Sequence, residues 1–417
     1  MFENSISVFC VFMCWRIKVN QNILKRLDET ISAKLWENGS NSDCFAGAAV
    51  CVVYRGEEVY RKEYGYADKE RKILMARDSI FRCYSMTKPV TAVAVMTLAE
   101  RGMLCLTDPV SMYLPGFCGQ QVLTTKGLVP AQREVTVQDL LDMTSGVAYP
   151  DIAYPAGQAM QNMIDEYYWK LYEEDTPTST YDLANLIGRQ PLKFQPGEGW
   201  CYGFGADVLG AVVEVVSGKT FGEYLKETIF EPLGMVDTDF YVPEEKQGRL
   251  CQYYQYMPES KDLLPCTWQH LGLAFWHLKK PVFESGGAGL VSTIDDYSKF
   301  ALMMLGKGTY QGVRILGRKT VECMVRNHLN EKQMADMDWE EQQGYGYGNF
   351  MRVMTDVGAA KQLGSVGEFG WDGWLGSYVS MDPEEELVIL FVVQKCEGSG
   401  YRNIQAIRNI IYSALEE

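Results

Sequence analysis

The apolar positions between residues 20 and 66 first follow a helical period and then form runs typical of strands. Between residues 20 and 35, apolar side chains recur three or four positions apart, which predicts a helix. Residues 46–54 and 57–66 are two strand-like runs, and the Arg55-Gly56 pair between them is typical of a tight turn. The pattern therefore predicts a helix followed by a β-hairpin.

The middle of the chain is predicted to be mainly helical. An almost wholly apolar helix is expected from Ser85 to Gly102, where the glycine marks a typical helix end. Residues up to about 280 favour helices and long loops, with aromatic-rich stretches at 149–181 and 253–276. The aromatic surface of the first stretch is larger than a solvated loop needs, so we expect it to border and gate a pocket.

Strand-like runs return in the last third, and a helix closes the chain. Strands are predicted at 345–354, 364–370, 376–382 and 387–394, followed by an amphipathic helix at 402–415. Strands at both ends predict one sheet domain formed by residues 20–80 and 281–417. Residues 81–280 are then an inserted, mainly helical domain with aromatic-rich loops.

The first 19 residues do not fit that pattern. Residues 6–15 are apolar, but the run is too short to span a bilayer, and no basic start precedes it as in a secretory signal. We expect residues 1–19 to be an extension outside the fold. No later segment is predicted to cross a membrane.

Composition and charge exclude several classes of function. The chain has 39 Lys and Arg residues and 54 Asp and Glu residues, which gives a net charge of −15. The sequence contains no basic cluster of the kind that predicts binding to nucleic acid. The 12 cysteines contain no C-x-x-C pair, so zinc-finger spacing is absent. Carboxylate runs such as Asp295-Asp296 favour helix caps rather than metal ligands. We expect no metal or cofactor, reduced thiols and a cytoplasmic location.

Residues Ser85-Met86-Thr87-Lys88 form an S-x-x-K motif at the predicted start of the apolar helix. Side chains three positions apart share a helix face, so the lysine can reach the serine hydroxyl. A buried lysine has a lowered pKa and can act as a general base. This chemistry needs no histidine, and the chain has only three.

The region around this motif resembles the nucleophile region of serine β-lactamase-related hydrolases. That superfamily contains class C β-lactamases, penicillin-binding proteins and family VIII esterases. Further segments resemble its landmarks in the same order, at residues 135–146, 194–202, 231–235 and 284–293. The resemblance implies an α+β, β-lactamase/transpeptidase-like fold: an antiparallel sheet flanked by terminal helices, with an inserted mainly helical domain.

The resemblance also implies roles for individual residues. Ser85 matches the nucleophile, Lys88 the base, and Tyr202 the tyrosine that relays a proton to the leaving group. That relay requires Lys88 to depress the pKa of Tyr202 below its usual value near 10.

The chain departs from the β-lactamase pattern at two places that bear on substrate. Phe204 occupies the position where an amide-binding Asn is common. The sequence Trp371-Asp372-Gly373-Trp374 replaces Lys-Thr-Gly, and Asp372 is expected to repel the carboxylate of penicillins and D-alanyl peptides. Gly373 is expected to permit a close backbone approach, and the N–H groups of Trp374 and Ser85 to form an oxyanion hole. Trp371, Trp374 and Phe204 are expected to line an apolar pocket.

The sequence therefore predicts a serine hydrolase that forms an acyl-enzyme on Ser85 and acts on small-molecule esters or related carboxyl derivatives. Three alternatives stay open: an acyltransferase of the same fold, a D-aminoacyl peptidase or β-lactamase, and a non-catalytic binding protein. The complete set of Ser85, Lys88 and Tyr202 counts against the last. Neither the substrate nor the oligomeric state follows from the sequence.

Overall fold

The structure is a computed structural model, and it describes residues 19–37, 42–267, 270–271, 276–398 and 400–416. The expected extension, residues 1–19, lies outside these ranges except for its last residue. No helix within the described ranges is both long and apolar enough to cross a bilayer.

The strands are numbered in chain order. They are β1 Gly47–Tyr54, β2 Glu57–Asp68, β3 Ile73–Leu74, β4 Phe81–Arg82, β5 Gln121–Thr124, β6 Gly127–Pro130, β7 Tyr254–Met257, β8 Asp262–Pro265, β9 Val291–Ser292, β10 Thr309–Tyr310, β11 Val313–Arg314, β12 Tyr345–Tyr347, β13 Arg352–Met354, β14 Phe369–Asp372, β15 Tyr378–Asp382 and β16 Leu387–Val393.

The helices are numbered in the same way. They are α1 Gln21–Leu24, α2 Arg26–Ser32, α3 Thr87–Glu100, α4 Val137–Leu141, α5 Pro155–Tyr172, α6 Thr180–Gly188, α7 Gly205–Ser217, α8 Phe221–Leu225, α9 Glu231–Leu233, α10 Ile294–Leu305, α11 Arg318–Met324, α12 Glu331–Asp336, α13 Val357–Ala360 and α14 Tyr401–Ala414.

The main sheet joins strands from both parts of the chain, as the sequence predicts. Its eight described strands run in the order β12-β13-β14-β15-β16-β1-β2-β3, and every pair is antiparallel. The predicted α+β fold with an antiparallel sheet and helices is confirmed.

Strand β1 is apolar along its whole length because both of its faces are covered. Its even-numbered residues, such as Val50 and Val52, pack with Leu27, Ile407 and Ile411 from the terminal helices. Its odd-numbered residues belong to the core beneath the other face, which also contains α3 and α10. Side chains alternate between the faces of a strand, so a strand buried on both sides is a continuous apolar run.

Three elements differ from the sequence prediction. The strand expected at 364–370 is β14, which begins only at Phe369, because Gly367 has φ 92° in the turn that precedes it. The single strand expected at 345–354 is a hairpin, in which Tyr345 pairs with Met354. Its turn contains Phe350 at φ 58°, and the apolar residues on both sides of the turn made the run resemble one strand. The helix expected from 20 to 35 is interrupted at Lys25, where α1 ends and α2 begins.

Helix α3 passes through the middle of the molecule, and its residues from Thr87 to Leu98 are all buried. A 3₁₀ turn, Tyr84–Met86, leads into it from the short strand β4. The turn contacts β14 of the main sheet. The S-x-x-K motif therefore lies where the sheet and the helical part of the chain meet.

Candidate active site

Ser85 lies in the 3₁₀ turn that precedes α3. The residue before it, Tyr84, is buried and has φ 45°, a left-handed conformation that costs a non-glycine residue free energy. Hydrogen bonds hold the turn on both sides: the N–H of Cys83 donates to the Leu290 carbonyl at 2.9 Å, and the Tyr297 hydroxyl donates to the Met86 carbonyl at 2.7 Å. The position of Ser85 is thus fixed by the surrounding core.

The ammonium group of Lys88 is fully buried and points at Ser85. It donates hydrogen bonds to the Ser85 hydroxyl at 3.1 Å, the Tyr149 hydroxyl at 3.0 Å and the Gly287 carbonyl at 2.8 Å. Burial lowers the pKa of Lys88 to about 7, although the negative charge of Asp207 acts in the opposite direction. At neutral pH a large fraction of Lys88 is therefore uncharged and able to accept a proton.

Asp207, on α7, holds the segment that binds Lys88. One of its carboxylate oxygens accepts hydrogen bonds from the Ser285 hydroxyl at 2.5 Å and the Gly287 N–H at 3.1 Å. Burial raises the pKa of Asp207, and the charge of Lys88 opposes that rise. Asp207 therefore acts on Lys88 in two ways, through its charge and through the backbone of Gly287.

Tyr202 lies beside the Ser85–Lys88 pair. Its hydroxyl accepts a hydrogen bond from the indole N–H of Trp371 at 2.9 Å, and the Lys88 Nζ lies 4.6 Å from the centre of its ring. Burial raises the pKa of Tyr202, and hydrogen bonding with Ser85 and Trp371 only partly opposes this. The expected depression of this pKa is therefore wrong: Tyr202 is a neutral phenol at neutral pH, and it holds a proton that a stronger base such as an alkoxide can take.

The structure places two further residues here: Tyr149, the first residue of the stretch predicted to border the pocket, and His270, to which the sequence assigned no role. Tyr149 accepts a hydrogen bond from Lys88, and its ring packs edge-on against Phe204 with centroids 4.6 Å apart. His270 lies parallel to the Trp374 ring with centroids 4.1 Å apart, and burial and the charge of Lys88 lower the pKa of His270 to about 4. The position of Tyr149 soon after Thr144-Ser145-Gly146 was an available signal, whereas none pointed to His270.

Gly373 makes the close approach that the sequence predicts. A Cβ atom at this position would lie 2.5 Å from the carbonyl oxygen of Cys83, two residues before the serine. The N–H of Gly373 donates to the Ser377 carbonyl at 2.6 Å, which closes the turn after β14. The third motif is therefore held directly against the turn that bears Ser85.

Two expectations about substrate contacts need correction. Phe204 is only 3% exposed, because it packs behind Tyr149 rather than in the wall of the cavity. Asp372 does not present an uncompensated charge, because the guanidinium of the buried Arg352 donates to its carboxylate at 2.8 Å. Repulsion of a substrate carboxylate by Asp372 is therefore weaker than the sequence suggests.

These side chains line a cavity of about 570 Å³, a size typical of small-molecule sites. Aromatic and apolar side chains form most of its wall. The wall includes Tyr84, Ser85, Tyr149, Ile164, Tyr168, Tyr202, His270, Leu271, Trp339, Trp371, Asp372, Gly373 and Trp374. The structure thus brings together every predicted site residue except Phe204, with Lys88 buried beneath the cavity.

The antiparallel sheet with its helices and the contact between Ser85 and Lys88 are typical of serine hydrolases of the β-lactamase fold. A sequence model of the family described as Beta-lactamase matches residues 28–411, and the chain belongs to that family.

Relatives and a solved structure agree with that assignment. The chain is 29% identical to esterase EstB of Burkholderia gladioli, over 94% of this chain and 96% of EstB. It is 30% identical to the lovastatin esterase of Penicillium rubens, over 87% and 89% of the two chains. The structure of EstCE1, a hydrolase with promiscuous acyltransferase activity, superposes with a TM-score of 0.78 at 25% identity and covers 94% of this chain and 99% of EstCE1.

Proposed function

We propose that the protein is a carboxylic ester hydrolase that forms an acyl-enzyme on Ser85. The observation that carries the proposal is the contact between the Ser85 hydroxyl and Lys88, a buried amine whose pKa lies near neutrality. Such an amine can remove the hydroxyl proton as the oxygen attacks a carbonyl carbon. The names of the two esterase relatives support esters as the substrate class.

The first half of the reaction uses each group in turn. Neutral Lys88 takes the Ser85 proton, and the serine oxygen bonds to the carbonyl carbon. The N–H groups of Ser85 and Trp374 stabilise the resulting oxyanion, since both residues line the cavity and Gly373 brings their backbones close. Tyr202 then donates its proton to the departing alkoxide, and the proton held by Lys88 replaces it.

Deacylation reverses these roles. Water takes the place of the leaving alcohol and gives its proton to the Tyr202–Lys88 pair as it attacks the acyl carbon. Collapse of the second tetrahedral intermediate returns a proton to Ser85 and releases the acid. The low pKa of His270 keeps its imidazole uncharged, so no second cation competes with Lys88 for the developing negative charge.

The wall of the cavity favours esters over penicillins and D-alanyl peptides. No lysine stands in the third motif, and Arg352, whose guanidinium donates to Asp372 of that motif, is buried and paired. A charge-assisted contact contributes about 1.5–3 kcal/mol, which corresponds to roughly ten- to a hundredfold in specificity. The aromatic wall suits apolar acyl or alcohol groups instead.

A comparison of substrates tests this proposal. Short-chain aryl esters should be hydrolysed with a kcat/KM at least about 100-fold above that for a chromogenic cephalosporin, a difference of about 2.7 kcal/mol. Ser85→Ala should abolish turnover of both substrates. Efficient cephalosporin turnover with little esterase activity would instead place the enzyme with β-lactamases or peptidases.

Acyl transfer is the second candidate, and the likeness to EstCE1 favours it. Both functions share the acyl-enzyme and differ only in the acceptor. Small alcohols and amines should therefore be added during ester turnover and both products quantified. A transferase diverts most acyl groups to the added acceptor, whereas a hydrolase still releases mostly free acid.

A further inference from the structure

A smaller cavity of about 150 Å³ adjoins the catalytic one. Glu341, Asp372 and Gly373 belong to the walls of both cavities, so the two meet at the third motif. Pockets that enclose a whole drug-sized ligand measure roughly 300–1,000 Å³. The small cavity therefore suits a single functional group of a substrate whose carbonyl lies at Ser85.

The charged groups around this cavity are mainly negative. Glu341, Asp372 and Glu397 line it, and Arg352 is the one cation in its described wall. Arg352 is buried, and its guanidinium is already hydrogen-bonded within the protein: it donates to Asp372 at 2.8 Å and to the Val379 carbonyl at 3.0 Å. Because Arg352 compensates the charge of Asp372, Glu341 and Glu397 supply the negative charge that the wall offers to an incoming group.

A tyrosine whose side chain is largely buried also lines the cavity. Tyr345 is 2% exposed, the guanidinium carbon of Arg352 lies 5.8 Å from the centre of its ring, and its hydroxyl makes no hydrogen bond with another described residue. Burial raises the pKa of Tyr345, so the hydroxyl stays neutral and keeps a lone pair for a donor. A cationic donor that reaches this hydroxyl forms a charge-assisted hydrogen bond, which is stronger than one between neutral groups.

We propose that this cavity is a subsite for an alkylammonium group carried by the substrate, an inference that rests on the proposed esterase function. The ammonium N–H donates to the Tyr345 hydroxyl, and its charge is attracted by Glu341 and Glu397. Tyr401 is also in the wall, and aromatic rings attract cations. A carboxylate would meet the like charges of Glu341 and Glu397, and an alkyl group would leave the Tyr345 hydroxyl without a hydrogen bond.

Two pairs of isosteric esters test the subsite at pH 7. The first compares 2-(dimethylammonio)ethyl butyrate with 3-methylbutyl butyrate, in which an N–H cation and a neutral C–H have the same shape. The second places the same difference on the acyl side, in methyl 4-(dimethylammonio)butanoate and methyl 5-methylhexanoate. In at least one pair the cationic ester should have the higher kcat/KM, by about tenfold. Ratios below threefold in both pairs would contradict the subsite.

Substitutions connect the preference to the cavity. Tyr345→Phe removes only the hydroxyl, and Glu341→Gln removes one charge; each should lower the cation-to-neutral ratio at least threefold. Since the ratio is taken within one variant, a general loss of activity cancels. The matched control is Glu384→Gln. Glu384 follows β15, and the last residue of that strand lies roughly 14 Å along the strand from Tyr378 in the cavity wall. An unchanged ratio in Tyr345→Phe and Glu341→Gln would refute the assignment.

Direct binding separates this proposal from the esterase proposal. Calorimetric titration with N,N-dimethylbutylammonium requires no turnover. Saturable binding to the unmodified protein, weakened at least threefold in Tyr345→Phe, supports the subsite even if none of the esters is hydrolysed. Absence of saturable binding, with the neutral esters still hydrolysed, would reject the subsite and leave the esterase function standing.

Discussion

The indole N–H of Trp371 donates a hydrogen bond to the hydroxyl of Tyr202 at 2.9 Å, which joins the third motif of the sheet to the tyrosine beside Ser85. The two residues are far apart in sequence, and both line the catalytic cavity. The bond orients the phenol and leaves its own proton available for donation to a leaving group. The Asp372-Gly373-Trp374 segment follows Trp371 directly. The end of β14 therefore both orients Tyr202 and packs against the turn that bears Ser85.

Removal of that hydrogen bond should slow turnover more than it destabilises the fold. In Trp371→Phe, kcat for an aryl ester should fall about tenfold, which corresponds to about 1.4 kcal/mol. The melting temperature should change by only a few degrees. Trp339→Phe is the matched control, because Trp339 also packs on Tyr202, with ring centroids 5.3 Å apart. Equal losses of kcat in both variants would indicate packing rather than the hydrogen bond.

Lys88 should set the pH dependence of activity. The base acts when neutral, so kcat/KM should rise as the pH increases through about 7, the lowered pKa of Lys88. The charge of Asp207 raises that pKa, so Asp207→Asn should shift the acid limb to lower pH. The measurement is the dependence of kcat/KM on pH in the unmodified protein and in Asp207→Asn. A shift to higher pH in the variant would contradict the electrostatic account.

Loss of the amine itself should be severe. Lys88→Ala should reduce kcat by about 10³-fold, within the range usual for loss of a general base. Lys332→Ala is a suitable control, since Lys332 is exposed and pairs with an exposed glutamate, Glu198. An alanine variant at position 88 that stays folded and within tenfold of the unmodified enzyme would remove Lys88 from the mechanism.

A single methyl group at position 373 should disrupt the site. Its Cβ would lie 2.5 Å from the Cys83 carbonyl oxygen, so β14 and the turn must separate. Gly373→Ala should therefore lower kcat at least about 100-fold, as a displacement of about 1 Å at an active site can. Gly248→Ala is the control, because a Cβ there meets no atom within 4 Å. Near-normal kcat in Gly373→Ala would show that the approach is not required.

Helix α5 should influence substrate size through one aromatic residue. Tyr168 lines the catalytic cavity, whereas its neighbour Trp169 is 61% exposed and absent from the wall. Tyr168→Ala should change the ratio of KM values for small and bulky esters by several-fold, and Trp169→Ala should leave the ratio unchanged. The opposite result would mean that α5 packs differently against the cavity. The sequence alone had implicated both residues equally.

Local pattern predicted much of the fold. The β1–β2 hairpin, the buried α3 and the last strands and helix each have a periodicity that depends on near neighbours in the chain. The hairpin of β12 and β13 was missed because its short turn lies between apolar residues. The break at Lys25 was missed because the apolar period continues across it.

In the site, too, contacts within a short segment could be predicted from the sequence, whereas contacts between distant segments could not. Ser85 and Lys88 are one helical turn apart, so their meeting could be predicted, and the motif before Tyr202 placed that residue. The pairing of Arg352 with Asp372 depends on the register of β13 beside β14, and the stacking of His270 on Trp374 joins distant segments. The pKa of Tyr202 was predicted in the wrong direction because its burial arises from packing between several elements.

The central claim is that Ser85 is the nucleophile, and covalent labelling tests it most directly. The protein should be treated with a fluorophosphonate, digested and mapped by peptide mass spectrometry, with Ser85→Ala treated in parallel. The account predicts one added phosphonyl group on the peptide that contains Ser85 and none in the folded variant. A label on a different serine, with Ser85 unmodified, would contradict it.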